Sequence, residues 1–115
     1  MPQSDATNGK NIRVAVVAAG VVSPLGFGLN ETLDSLRAAR DCITPVTRFS
    51  VAQCRCKTAG QVSDERLLDR ERNGGRGGAL HRASHMMIWA LREMLHQDRQ
   101  FKPQLTVIGT TSGGM

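Results

Sequence analysis

Arg13-Val-Ala-Val-Val-Ala-Ala-Gly-Val-Val-Ser-Pro-Leu-Gly26 is the stretch on which the fold turns. Its Val/Ala run, Val14 to Val22, follows Lys10 and Arg13 and so has the outline of a signal-peptide core. It contains no Leu, and no convincing cleavage site follows it. It is far too short to span a bilayer. Valines on both faces, closed by a Ser-Pro-Leu-Gly turn, predict a strand from Arg13 to Ala19 in a sheet covered on both sides. Gly20 to Gly28 is then a turn-rich connection. Before the strand, residues 1–11 are polar and predict a loose tail.

Beyond the turn, Asn30 has the character of a helix N-cap, with Glu31 in the first turn where the helix dipole favours an acid. Leu29, Leu33 and Leu36 recur at helical spacing and carry that helix to about Arg40. Residues 41–51, with Pro45 inside, are irregular. Lys57 to Val62 predicts a short edge strand. Ser63 to Gly78 reads as a charged loop ending in a glycine-rich run that cannot hold a helix. The clearest helix is Leu80 to Gln97, with an apolar stripe through Leu80, Ala83, Met87, Ala90 and Met94, widened by Met86, Leu91 and Leu95. Ile88 and Trp89 fall outside that stripe. Leu105 to Ile108 is a second Val/Ile strand before a small-residue loop. The order is strand, helix, short strand, helix, strand, which is an α/β pattern with parallel pairing expected. Two core strands and one edge strand are a meagre floor for so apolar a helix, and the fold they begin looks incomplete.

The 115 residues bound the chain to one small domain, with 40% apolar and 22% charged residues and a net charge of +5. The positive charge favours an acidic partner, nucleic acid or protein, without choosing between them. Three cysteines, Cys42, Cys54 and Cys56, without an evident secretory signal, predict reduced thiols in the cytosol. The Cys54/Cys56 pair lacks the spacing and the second pair of a zinc site. His81 and His85 stand four apart on the long helix, but no Glu follows His81 and no third ligand is evident. No metal and no cofactor is therefore expected. The glycines after the first strand miss the dinucleotide fingerprint, and no lysine completes a phosphate loop. A single Arg76-Gly-Gly, in a chain with no Tyr, is weak support for nucleic-acid binding. Ser112 in Thr-Thr-Ser-Gly-Gly lacks the two-before glycine of a nucleophile elbow. Its loop does follow the carboxyl end of a predicted parallel strand, where open α/β sheets place ligands.

Six segments in order resemble the β-ketoacyl-acyl-carrier-protein synthases. They are the Arg13–Gly26 strand and turn, the helix Glu31 to Arg40, Cys42-Ile-Thr-Pro-Val-Thr-Arg-Phe49, Cys56-Lys-Thr-Ala-Gly-Gln-Val62, the helix opening Arg82-Ala-Ser-His-Met86, and Val107-Ile-Gly-Thr-Thr-Ser-Gly-Gly-Met115. Val17-Ala18-Ala19 departs from the family's usual Thr-Gly-Leu, and His81 from its usual Asp. The resemblance implies that residues 12–115 are the beginning of a thiolase-like layered α/β fold, incomplete in this chain. It implies an amino-terminal part of an enzyme of decarboxylating Claisen condensation, in fatty acid or polyketide synthesis in the cytoplasm. An acyl thioester and malonyl-acyl carrier protein would be its substrates, and a homodimer or heterodimer its full-length form, with neither nucleic acid nor membrane as partner. The family's cysteine nucleophile and its histidines lie past the glycine-rich loop, so no catalytic residue is assigned here and the chain itself is expected to be inactive. Ser112 would border the acyl-chain pocket. Arg70, Arg72 and Arg76, within a basic stretch from Arg66 to Arg82, would dock the acidic carrier protein, although Asp64, Glu65, Asp69 and Glu71 dilute that charge. A non-catalytic chain-length-factor-like subunit and a free-standing basic binding module are the alternatives.

Overall fold

A computed structural model of the chain describes residues 12–72 and 80–110. The tail expected at 1–11, the glycine-rich run and Ser112 lie outside the described residues. Within them the secondary structure is mixed α/β: a hairpin of β1 (Val22–Ser23) and β2 (Gly26–Phe27), helix α1 (Leu29–Arg37), strands β3 (Ile43–Pro45) and β4 (Thr58–Gly60), and helices α2 (Asp64–Arg72) and α3 (Arg82–Gln97). The expected layered sheet is not formed by these elements. Both sheets have two strands and are antiparallel, with Val22 opposite Phe27 and Thr44 opposite Ala59.

Several expectations from the sequence are corrected. Residues 13–19 and 105–108 are not strands. Val14, Val16, Leu105 and Val107 are more than four-fifths exposed. A strand apolar on both faces needs neighbours on both edges and cover on both sides, and the described residues supply neither. In the first sheet the two-residue turn Pro24-Leu25 allows only antiparallel pairing, because parallel strands need long crossovers; in the second, a twelve-residue connection brings β4 back along β3. Residues 64–72, expected as loop, form α2. The Asp64 and Glu65 that looked like loop charges lie in its first turn, where they oppose the helix dipole favourably. Residues 43–45, expected as irregular, pair with the predicted short strand.

The α1 cap also differs. Gly28, not Asn30, is the N-cap, at φ 100°. A side chain there would be strained and would also meet the Glu93 carboxylate at 2.9 Å. The cap hydrogen bond comes from another element: Glu93 Oε1 on α3 accepts from Leu29 N at 2.7 Å, and its Oε2 from Val21 N at 3.0 Å.

The core is small. Phe27, Val62 and Leu67 are buried, with Val22, Met86 and Trp89 packed against them. The Phe27 and Trp89 rings meet edge to face at 5.0 Å. Trp89 was expected to stand apart from the helix stripe, yet its face is the one that packs. That face runs through Arg82, His85, Met86, Trp89, Glu93 and Gln97, while Met87, Leu91 and Leu95 of the apolar stripe are exposed by 42–44%. The choice follows from hydrogen bonding. Glu93 and Gln97 satisfy main-chain groups of residues 19–29 that would otherwise be left without protein partners. Gln97 both accepts from Ala19 N (3.2 Å) and donates to Ala19 O (2.7 Å), as a neighbouring strand would. The radius of gyration is 20.2 Å, against roughly 13 Å for a compact domain of about this length.

Candidate functional site

The side chains with the densest polar contacts gather around the small core. Glu31, in the first turn of α1, accepts from Phe27 N at 3.0 Å and holds Arg66 of α2 through two hydrogen bonds of 2.9 and 2.7 Å. The fork-on-fork geometry is the strong form of an Arg–carboxylate pair. It lays the Arg66 guanidinium 4.4 Å from the centre of the Phe27 ring, within cation–π range. Donation by Arg66, and then by the Phe27 amide, holds the Glu31 carboxyl at about 2, well below its ordinary 4.5. The same pairing raises Arg66.

A second cluster lies at the same amino-terminal end of α2, two residues earlier. Asp64 accepts from Arg82 Nε at 2.9 Å and from Arg48, which reaches both of its carboxylate oxygens. Arg82 also donates to the Val62 carbonyl. One carboxylate thus ties the loop after β3 to the first turns of both α2 and α3. Two guanidiniums against one carboxylate leave this cluster positive.

Sequence reasoning grouped Arg66 and Arg82 with a flexible basic stretch. Both are instead anchored in ion pairs. Their partners are 35 and 18 residues away, and no local spacing announces such pairs. Arg70 and Arg72 lie in the second half of α2, while Arg76 and Ser112 lie outside the described residues. The histidines are placed as follows. His81 caps α3, its Nδ1 accepting from Ala83 N at 3.3 Å, and His85 is buried. Cys42 is half-buried; Cys54 and Cys56 are exposed. Among the described residues no three His, Cys, Asp or Glu side chains converge as a metal site. No described helix is long and apolar enough to cross a membrane. The arrangement positions elements; within the described residues it does not assemble a nucleophile with a base.

Comparison with known proteins adds one relative. The chain is 27% identical over 112 residues to 3-oxoacyl-[acyl-carrier-protein] synthase 2 of Synechocystis sp., a match that covers 90% of this chain and 26% of that protein. The similarity is to a β-ketoacyl synthase. The chain spans about a quarter of the synthase's length. No family model matches the chain, and no solved structure matches it. The match to the synthase takes in most of the chain, as the six ordered segments do, and so supports a relationship at the level of the family.

Proposed function

We propose that this chain is the amino-terminal part of a β-ketoacyl-acyl-carrier-protein synthase, a fragment that contributes structure rather than chemistry to decarboxylating Claisen condensation in the cytoplasm. The observation that carries this reading is the similarity to a synthase along 90% of the chain but only 26% of the relative. The exposed Val-rich runs at 13–19 and 105–108 support it, because they have the composition of core strands and lack the neighbours of core strands. Claisen condensation needs an activated thiolate and donors for the thioester oxygen. The resemblance puts both in sequence that would follow Met115, within a thiolase-like homodimer or heterodimer.

In this reading Arg70, Arg72 and Arg76 form a docking surface for the acidic acyl carrier protein, and Ser112 borders the acyl pocket. The bidentate pairing of Arg66 with Glu31 supports the narrower choice of arginines, since that guanidinium is already neutralised within the fold. It also weighs against a free-standing basic module.

The test has two parts. Residues 1–115 expressed alone should give no carrier-dependent carbon dioxide release; turnover above background would refute catalytic inertness. In a longer synthase carrying this segment, Arg70→Glu, Arg72→Glu and Arg76→Glu together should weaken carrier binding, most at low salt, where steering is unscreened. Unchanged affinity at low salt would remove the docking role.

A further inference from the structure

Between the β3–β4 hairpin and the start of α3 lies an open groove of about 400 Å³, at the lower end of the range of small-molecule sites. Pro24, Val46, Phe49, Val62 and Met86 give it an apolar lining, and Arg48 and Arg82 stand in its wall. Two of its lining residues meet at Gly60: a Cβ there would stand 2.8 Å from Pro24 Cγ, so only glycine lets the hairpin come this close. Gln61 braces the same hairpin, its amide nitrogen donating to Thr44 Oγ1 and the Pro45 carbonyl and its oxygen accepting from Thr47 N.

The electrostatics of the groove are asymmetric. Asp64 answers only one of the two guanidinium charges. Arg48 reaches it through Nη1 alone, while Arg82 uses Nε on Asp64 and Nη2 on the Val62 carbonyl, so Nε and Nη2 of Arg48 and Nη1 of Arg82 have donors to spare. Asp64 itself shows what these donors take, namely a carboxylate. The geometry points to a binding site for a single-chain carboxylate amphiphile, such as a medium-chain fatty acid, with its head between Arg48 and Arg82 and its tail along Pro24, Val62 and Met86. This site is independent of the condensing-enzyme reading, because it uses only residues of this chain and concerns binding rather than turnover.

The test uses the 115-residue chain and octanoate, with octanol and octylammonium as controls. Met86 lines the groove and packs in the cluster that contains Trp89, so emission from this tryptophan reports occupancy, with calorimetry as a second readout. Octanoate should bind saturably and octylammonium should not. Arg48→Gln should weaken octanoate by about tenfold, the loss expected for a charge-assisted hydrogen bond. Asp64→Asn, which removes the competing negative charge, should tighten it severalfold, an outcome that misfolding cannot imitate. Equal binding of octanol and octanoate, or no strengthening in Asp64→Asn, overturns the proposal.

Discussion

Replacing Val16 and Val107 together by Asp should leave the small core of this chain untouched. Both valines are nearly fully exposed, by 86% and 84%, and exposed substitutions cost within about 0.5 kcal/mol. The unused driving force is nevertheless large. Val14, Val16, Val17, Leu105, Val107 and Ile108 are exposed by 68–87%. At ~1.5–3 kcal/mol per fully buried side chain, their burial would be worth roughly 7–14 kcal/mol. That is the scale of a whole domain's stability, about 5–15 kcal/mol. The chain therefore leaves a domain's worth of apolar burial unclaimed, which makes it prone to association. The assay is acrylamide quenching of Trp89, the single tryptophan, together with hydrogen exchange along α3 and light scattering. The double variant should scatter less and keep the Trp89 and α3 protection of the parent. In a longer synthase the same pair should be severely destabilising, because each Asp would enter a dry sheet. Loss of Trp89 protection in the isolated chain would refute the reasoning, since it would mean that these segments already pack on the core.

The Glu31–Arg66 pair should make the core acid-sensitive. With the folded carboxyl at about 2 against an ordinary 4.5, its contribution is present above about pH 4.5 and fades as pH falls toward 2. Nearly half exposure of both side chains limits it to ~1 kcal/mol. Glu31→Gln should flatten this limb of the pH profile of Trp89 protection. Gly20→Ala should open the contact with α3, because the added Cβ would stand 1.9 Å from the Ala90 carbonyl oxygen and backbone cannot give way there. A cost of at least about 2 kcal/mol is expected, seen as rapid exchange of the Val21 amide. Ser112→Phe in a longer synthase should shorten the acyl chains accepted, as read from the product profile; an unaltered profile would end the pocket assignment.

The parts of the fold legible in sequence were those set by local rules. The long helix ends at Gln97 as its periodicity predicts, and the short strand at 58–60 falls inside the expected 57–62. What misled was context. Val14 to Ala19 has the composition of a buried strand, but a strand is made by its neighbours. The apolar stripe of α3 suggested that Leu91 and Leu95 face inward, whereas Trp89, Glu93 and Gln97 do. Glu93 and Gln97 look like ordinary solvent-facing residues until the main chain they serve is in place. The arginines show the same limit. Charge counting found the basic stretch from Arg66 to Arg82, but only tertiary structure shows which of them touch carboxylates: Arg66 as half of a closed pair, Arg82 sharing Asp64 with Arg48. Ser112 and Arg76 stay expectations from sequence.

The carboxylate of Glu93 at the start of α1 has a consequence for the order of events as the chain is made. Helix α1 has nine residues, too few to persist unaided in water, and its first amide is satisfied by a residue 64 positions downstream. The clasp of Gln97 on Ala19 closes an even longer loop of 78, whose entropy must be overcome before the contact forms. A nascent chain that has emerged only as far as Arg72 therefore holds no stable α1. Helix α1 is synthesised before α3 yet becomes permanent only with it, waiting for the helix that caps it. A ribosome-bound chain stalled at that length should show unprotected amides at Leu33 and Leu36, and one stalled beyond Gln97 should show them protected.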